Sequence, residues 1–368
     1  MATTWWNAVD EGSNQQKERP VAATIRDVAR ASGVHVSTVS RTFSAPHQVN
    51  VETRNRVLAA AEEMGYRPNR AARALITGRT HNIGLIVADI ANPFFPPLIK
   101  AAESHARGRD YHVFVADTSE DASVEEELVL ALAKQVDGIV LCSPRMSNTQ
   151  IERLSRDVPL VVVNRPVPGL PAVVMDVGQG ARLAVEHLVG LGHRDIALLG
   201  GPRGSWTNRE IRRSATLAAR SGGAELIIFG PNPPTEDGGA AQLDAVLQAG
   251  VTAVLAYNDL MAVGLIDALD QHGVKVPDQI SVVGIDDTAL SRRTRPTLTT
   301  VATPTAAAGR VAVDMLLQHG DDRRTTALVT LQTELVIRDS SGPGPHCPAG
   351  PGRRFVPPQT VPRPESKE

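Results

Sequence analysis

Apolar residues recur at Ile25, Val28 and Ala29, the three-and-four spacing of one buried helical face. Gly33 interrupts that run, and a second resumes at Val34, Val36 and Val39. A third runs from Val51 to Met64 and ends at Gly65; Pro68 bars its continuation, and Asn69 offers a cap for a short helix over Arg70 to Ile76. From Asn82 onward the pattern changes. Short β-branched runs alternate with amphipathic stretches of about 10–15 residues. The runs read IGLIVADI, HVFVAD, DGIVLCS, PLVVVN, DIALLGG, ELIIFG, TAVLAYND and ISVVGIDD. Continuously apolar strands between helices predict parallel sheets covered on both faces. Eight such runs exceed one doubly wound sheet of about six strands. Asp117, Asn164, Asn258 and Asp286 close four of them, which favours two open sheets facing a cleft over a closed β/α barrel. The expected class is α/β, with an all-α module ahead of two doubly wound parallel-sheet subdomains.

Two helices joined by a tight glycine turn form a helix-turn-helix, whose second helix enters the DNA major groove. Here that helix exposes Ser37, Thr38, Ser40 and Arg41 where strong helix formers would serve stability better. Short hydroxyls bond phosphate or bases, and arginine grips guanine with two hydrogen bonds. His35, Val36, Ser37 and Arg41 are therefore the candidate base readers, with Thr38 and Ser40 as phosphate or turn contacts. A pair of helices in an unrelated bundle would show the same apolar pattern.

Charge changes the picture. The whole chain carries −2, yet Thr24 to Arg79 holds nine arginines against Asp27, Glu52, Glu62 and Glu63. That segment is +5, which leaves −7 for the remainder. A small basic module on a larger acidic body suits a nucleic-acid binder with a separate regulatory or catalytic part, or a solvated arginine-rich face.

The motifs T-I-R-D-V-A, V-S-T-V-S-R and Y-R-P-N-R-A-A-R-A-L closely resemble the lactose/galactose repressor family of bacterial transcription regulators. The resemblance continues through IGLIVADIANPFF, EHLVGLGHRDIALLGGP, YNDLMAVGL, ISVVGIDD and RPTLTTV, and covers about Thr24 to Arg338. Ala215 stands where the family has a glycine, and the loop before ELIIFG is short. The resemblance implies a homodimer on palindromic operator DNA and a small polar effector, possibly a sugar, between two sugar-binding-protein-like subdomains. No phosphate-binding P-loop, His-Glu-x-x-His or Cys-x-x-Cys pair appears, so no cofactor, metal or catalytic residue is expected. The resemblance adds DNA contacts at Thr24, Asn69, Arg70 and Ala72, and makes the short helix a hinge that orders on the operator, with Leu75 wedged into the minor groove. Such a wedge kinks DNA and offsets a few kcal/mol of unstacking with extra contact.

Effector binding is expected at Asn164, Arg165, Asn258 and Asp286, at or beside strand ends, and at Arg212 on the helix after GGPRGSWTN. Their donors and acceptors suit hydroxyl groups. Phe94, Phe95, Trp206 and Tyr257 are the rings placed to stack, in a chain whose aromatic content is only 3%. Asn164 and Asp286 could instead merely cap the helices that follow. The adjacent carboxylates Asp286 and Asp287 point different ways from a strand end, which argues against a catalytic pair. His187 and His193 read as structural, and GQGARL as a helix start. A sugar-transport protein would explain only the body, and a cleft enzyme would leave the helix-turn-helix without a purpose.

Cys142 lies in an apolar run and Cys347 in a proline-rich tail, so no disulfide framework is expected. No segment reads as an export signal or a membrane span, which suggests a cytoplasmic protein. The expected layout is a disordered tail over 1–22, the helix-turn-helix over 23–68, the hinge over 69–80 and the core over 81–340. Within the core the expected subdomains are 81–176 plus 304–325 and 177–303 plus 326–340. Residues 341–368 are expected to be a disordered tail, and its prolines rule out a tetramerising coiled coil.

Overall fold

The computed structural model describes residues 23–67, 78–319 and 327–346, in two units divided between Arg79 and Thr80. In the first, α1 (Ile25–Ser32), α2 (Val36–Ser44) and α3 (Val51–Glu63) close a small core of Val28, Ala29, Val39, Val57 and Ala61. Side chains satisfy the helix starts. Thr24 and Asp27 form a reciprocal capping box, His35 Nδ1 accepts from the Ser37 N–H, and Asn50 Oδ1 accepts from the Glu52 N–H. Gly33 closes α1 at φ 64°, a left-handed conformation that lets the Val34 N–H reach the Ala29 carbonyl. The expected hinge residues Asn69, Arg70, Ala72 and Leu75 lie outside the described residues. So do residues 1–22 and 347–368, including Cys347.

The second unit holds two six-stranded sheets. The first contains β1 (Asn82–Val87), β2 (His112–Asp117), β3 (Gly138–Cys142), β4 (Leu160–Val163), β5 (Ala172–Met175) and β11 (Leu328–Leu331), in the order β11-β5-β4-β3-β1-β2. The second contains β6 (Asp195–Leu199), β7 (Glu225–Phe229), β8 (Ala253–Ala256), β9 (Ser281–Asp286), β10 (Thr299–Ala302) and β12 (Glu334–Val336), in the order β12-β10-β9-β8-β6-β7. All pairings are parallel except β10 with β12.

Alternate residues of each strand face opposite layers, which is why the runs are apolar throughout. In the first sheet, Leu85 and Val87 pack under α4 (Phe95–Arg107) and α12 (Thr305–His319). Ile86 faces α5 (Ala122–Leu132) and α6 (Asn148–Leu154) instead. In the second sheet, Ile196 and Leu198 meet α7 (Val177–Gly190) and α8 (Trp206–Ser221). Ala197 and Leu199 face α10 (Leu243–Gln248) and α11 (Asp259–Gln271). A single helical turn and a half, α9 (Glu236–Ala240), rests on α11.

Two expectations need correction. β11 pairs with β5, so residues 328–331 belong to the first subdomain and the chain crosses for the third time between Leu331 and Glu334. β5, β10, β11 and β12, each four residues or shorter, are the strands absent from the eight apolar runs. The tail also stays attached past residue 340. Gly342 N–H donates to Ser281 Oγ at 3.0 Å and Gly344 N–H to the Leu191 carbonyl at 2.7 Å. Between the prolines, Gly342, Gly344 and His346 retain amide donors, and the His346 N–H also bonds the Gly192 carbonyl at 3.2 Å. Beneath them His193 is fully buried, with Nε2 donating to the Gly342 carbonyl and Nδ1 bonded to Thr252 Oγ1. Burial pushes its pKa down to about 4, so it is a neutral post for the tail.

Candidate functional site

In the first unit, the α1–α2 packing decides which face of α2 is free. Val39 and Thr42 are buried, while His35, Ser37, Arg41 and Ser44 are exposed and Val36, Thr38 and Ser40 half-buried. Arg56 Nε donates to the Ser32 carbonyl at 3.0 Å and ties α3 to the end of α1. The Thr42 and Ser44 hydroxyls bond carbonyls one turn back, which leaves Ser37, Ser40 and Arg41 as the polar display. His35 is partly committed. Its Nδ1 caps α2 and lies 2.9 Å from Ser37 Oγ, so its outward reach is through Nε2. Thr24 sits exposed at the α1 start with its hydroxyl donating to Asp27.

In the second unit, each sheet has its topological switch point between the strands of the pairs β1/β3 and β6/β8. Ligands of open α/β sheets bind beyond the carboxyl ends of strands at such points. Both switch points open onto one cavity. From the first subdomain it takes Phe94, Glu120, Ser143, Arg145 and Asn164; from the second it takes Thr207, Tyr257, Asn258 and Asp286.

Local structure explains each position. Asn164 follows β4 at φ 61°, a conformation uncommon outside glycine, and is 4% exposed. Its Nδ2 donates to Ser143 Oγ at 3.3 Å, while its Oδ1 is buried without a partner. Tyr257 lies across Gly201, where a Cβ would come within 2.5 Å of the ring. The Tyr257 hydroxyl meets Ser205 Oγ, which also caps α8 by accepting from the Asn208 N–H. Asn258 caps α11 through Oδ1 and donates Nδ2 to the Pro234 carbonyl, so the capping role anticipated for Asn164 belongs to Asn258 instead.

Three of the five expected polar effector residues come together, Asn164, Asn258 and Asp286, with the rings Phe94, Phe95 and Tyr257 but not Trp206. Arg165 does not join them. Its buried guanidinium donates to the Pro144 and Met146 carbonyls and to Asn148 Oδ1, bracing the loop after β3. Arg212 is also elsewhere, because Ile211 and Ala215 set the buried face of α8 and leave Arg212 exposed. The arginine in the cleft is Arg145, which sequence reasoning missed together with Glu120. Their contact joins segments 25 residues apart, and neither closes an apolar run.

Electrostatics separate the two adjacent carboxylates. Asp287 bonds Arg292, Arg338 and Ser291 on the outer side, whereas Asp286 faces the cleft. Burial, and then the charge of Asp259, push the Asp286 pKa well above its usual range. Asp259 is itself raised to about 6 by burial, against the hydrogen bonds from Thr300 and Thr288. The cleft therefore presents hydroxyl acceptors and one reluctant anion. Among the described residues no cluster of three or more His, Cys, Asp or Glu could hold a metal ion.

A three-helix module with an exposed polar recognition helix, joined in one chain to a two-sheet ligand cleft, defines a DNA-binding transcriptional regulator. Residues 24–69 match the LacI family of bacterial regulatory proteins, and residues 185–341 match the periplasmic binding protein-like domain. The transcriptional regulator GalS of Salmonella typhimurium is 34% identical over 303 residues, covering 80% of this chain and 89% of GalS. DegA of Bacillus subtilis is 34% identical over 333 residues, covering 87% and 98%. The lac repressor dimer bound to operator and the anti-inducer ONPF superposes with a TM-score of 0.80 at 29% identity, covering 88% of this chain and all of that one. The chain belongs to the LacI family.

Proposed function

We propose that this regulator is a homodimeric, cytoplasmic repressor without enzymatic activity, which binds a palindromic operator through α2 and a small polar effector through Asn164, Asn258 and Asp286. The observation that carries the effector site is Asn164 Oδ1. It is a buried acceptor with no protein partner, at the edge of a cavity, and a ligand hydroxyl would satisfy it. The dimeric lac repressor on its operator supports the assembly. So does the exposed edge strand β2, where Phe114 and Val115 are 44% and 39% exposed and a second copy would cover them. Among the described residues no helix is long and apolar enough to cross a membrane. Closure of the cleft on effector would couple to DNA by favouring one of two core arrangements.

Selection of genomic fragments on the purified protein tests this reading, since a regulator enriches a shared two-fold symmetric site and a mere sugar binder enriches none. On that site Arg41→Ala should relax preference at one base per half-site, because a bidentate arginine contributes about 1–3 kcal/mol of discrimination. Equal weakening on every DNA sequence would make Arg41 a phosphate contact instead.

A further inference from the structure

The cleft is longer than the chamber beside Asn164. Past Glu120 and Pro234 it opens into a second space of about 470 Å3. Asp89 and Ser119 bound that space on one side, and Pro202, Asn232 and Thr235 on the other. Along both chambers the cationic lining residue is Arg145, and it is already occupied. Its Nη2 donates to Glu120 Oε1 at 2.9 Å, its Nε donates to the other carboxylate oxygen, and its Nη1 donates to the Ser143 carbonyl. With its side chain only 8% exposed, that fork is shielded from water.

The loop cannot easily swing the arginine away. Glu125 Oε2 accepts from the Arg145 and Met146 N–H groups at 2.9 Å each, and Arg165 holds the Pro144 and Met146 carbonyls. The other charged lining residues, Asp89, Glu120 and Asp286, are all acids.

We propose that the effector is an uncharged, hydroxyl-rich molecule of at least two rings, and that Glu120 sets this preference by occupying Arg145. This rests on the effector-cleft reading above. An entering phosphate or carboxylate would meet three acids and no available cation, and would be buried without a counter-charge. A neutral polyol loses nothing of that kind. Its hydroxyls can donate to Asn164 Oδ1 and to Asp286, and the T-shaped Phe94–Phe95 pair offers a ring an apolar wall. A second ring would lie beyond Glu120, among the prolines of the outer space.

Calorimetry on the full chain with cellobiose, maltose, trehalose, glucose, glucose 6-phosphate and glucuronate decides the matter. At least one disaccharide should bind, about tenfold or more tighter than glucose, with no heat from either anion. In Glu120→Gln the released Arg145 should bring glucose 6-phosphate binding at least about tenfold above wild type. Wild-type preference for an anion, silence from all three disaccharides, or a folded Glu120→Gln that remains blind to the anion would each overturn the proposal. If that variant does not fold, the order of ligands on the wild type still decides. Fragment selection separates the two levels. A chain that enriches no DNA site defeats the regulator reading, whereas one that enriches a site but prefers an anion defeats only this inference.

Discussion

Gly264→Ala should lower the melting temperature of the core by roughly 10 °C, the largest effect expected from a single methyl group in this chain. A Cβ on Gly264 would stand 1.9 Å from the Glu236 carbonyl oxygen, and one on Gly239 would stand 2.0 Å from the Met261 carbonyl oxygen. These are reciprocal contacts of α9 against α11 through backbone, so no side chain can rotate to relieve them. Overpacking of side chains costs about 1–3 kcal/mol, and a clash with backbone belongs at or above the upper end. The consequence reaches the cleft. α11 is capped by Asn258, whose Nδ2 is anchored to the Pro234 carbonyl just before α9, so forcing the helices apart moves a cleft residue and the proline lip together. Gly33→Ala makes a useful contrast. Nothing lies within 4 Å of its Cβ, and its cost, about 1–2 kcal/mol, comes from the left-handed backbone alone. Scanning calorimetry that places Gly264→Ala within 2 °C of wild type would show that α9 yields freely.

What the sequence revealed follows a physical divide. The module of α1 to α3 and the long buried strands were legible because their signals are local: a glycine that must be left-handed, and apolar runs covered on both faces. Asn164, Asn258 and Asp286 were legible for a related reason, since each is a polar residue ending an apolar run at the edge where such sheets bind ligands. Arg165 and Arg212 were drawn into the site by position near that edge. Sequence position does not reveal that Arg165 would satisfy the carbonyls of another loop, or that Ile211 and Ala215 would take the buried side of α8. Glu120 and Arg145 were illegible because their meaning lies in each other. Either one alone reads as a solvated loop charge, and only tertiary packing brings the carboxylate onto the guanidinium.

Asp286→Asn should make the ligand-free protein more stable at pH 8 and make its effector bind more weakly there. The substitution keeps the shape and removes the ionisation. Burial and the neighbouring Asp259 raise the Asp286 pKa well above the ordinary carboxylate range, so the folded protein holds this proton more tightly than the unfolded chain does. Its contribution to stability is therefore fully present below the unfolded pKa and is lost as pH rises through the folded one. Asparagine has nothing to lose over that window, so the stability advantage of the variant should grow from about pH 4 upward and level off once pH has passed the raised folded-state pKa. Binding moves the other way. A hydroxyl donating to an ionised carboxylate is worth about 1.5–3 kcal/mol, so wild-type affinity should rise with pH as the effector displaces the proton. The variant should bind with little pH dependence and about tenfold more weakly at pH 8. Melting curves of the two proteins that run parallel from pH 4 to pH 8 would show that Asp286 is ionised in the empty cleft, and the stability and binding effects would then have no common cause.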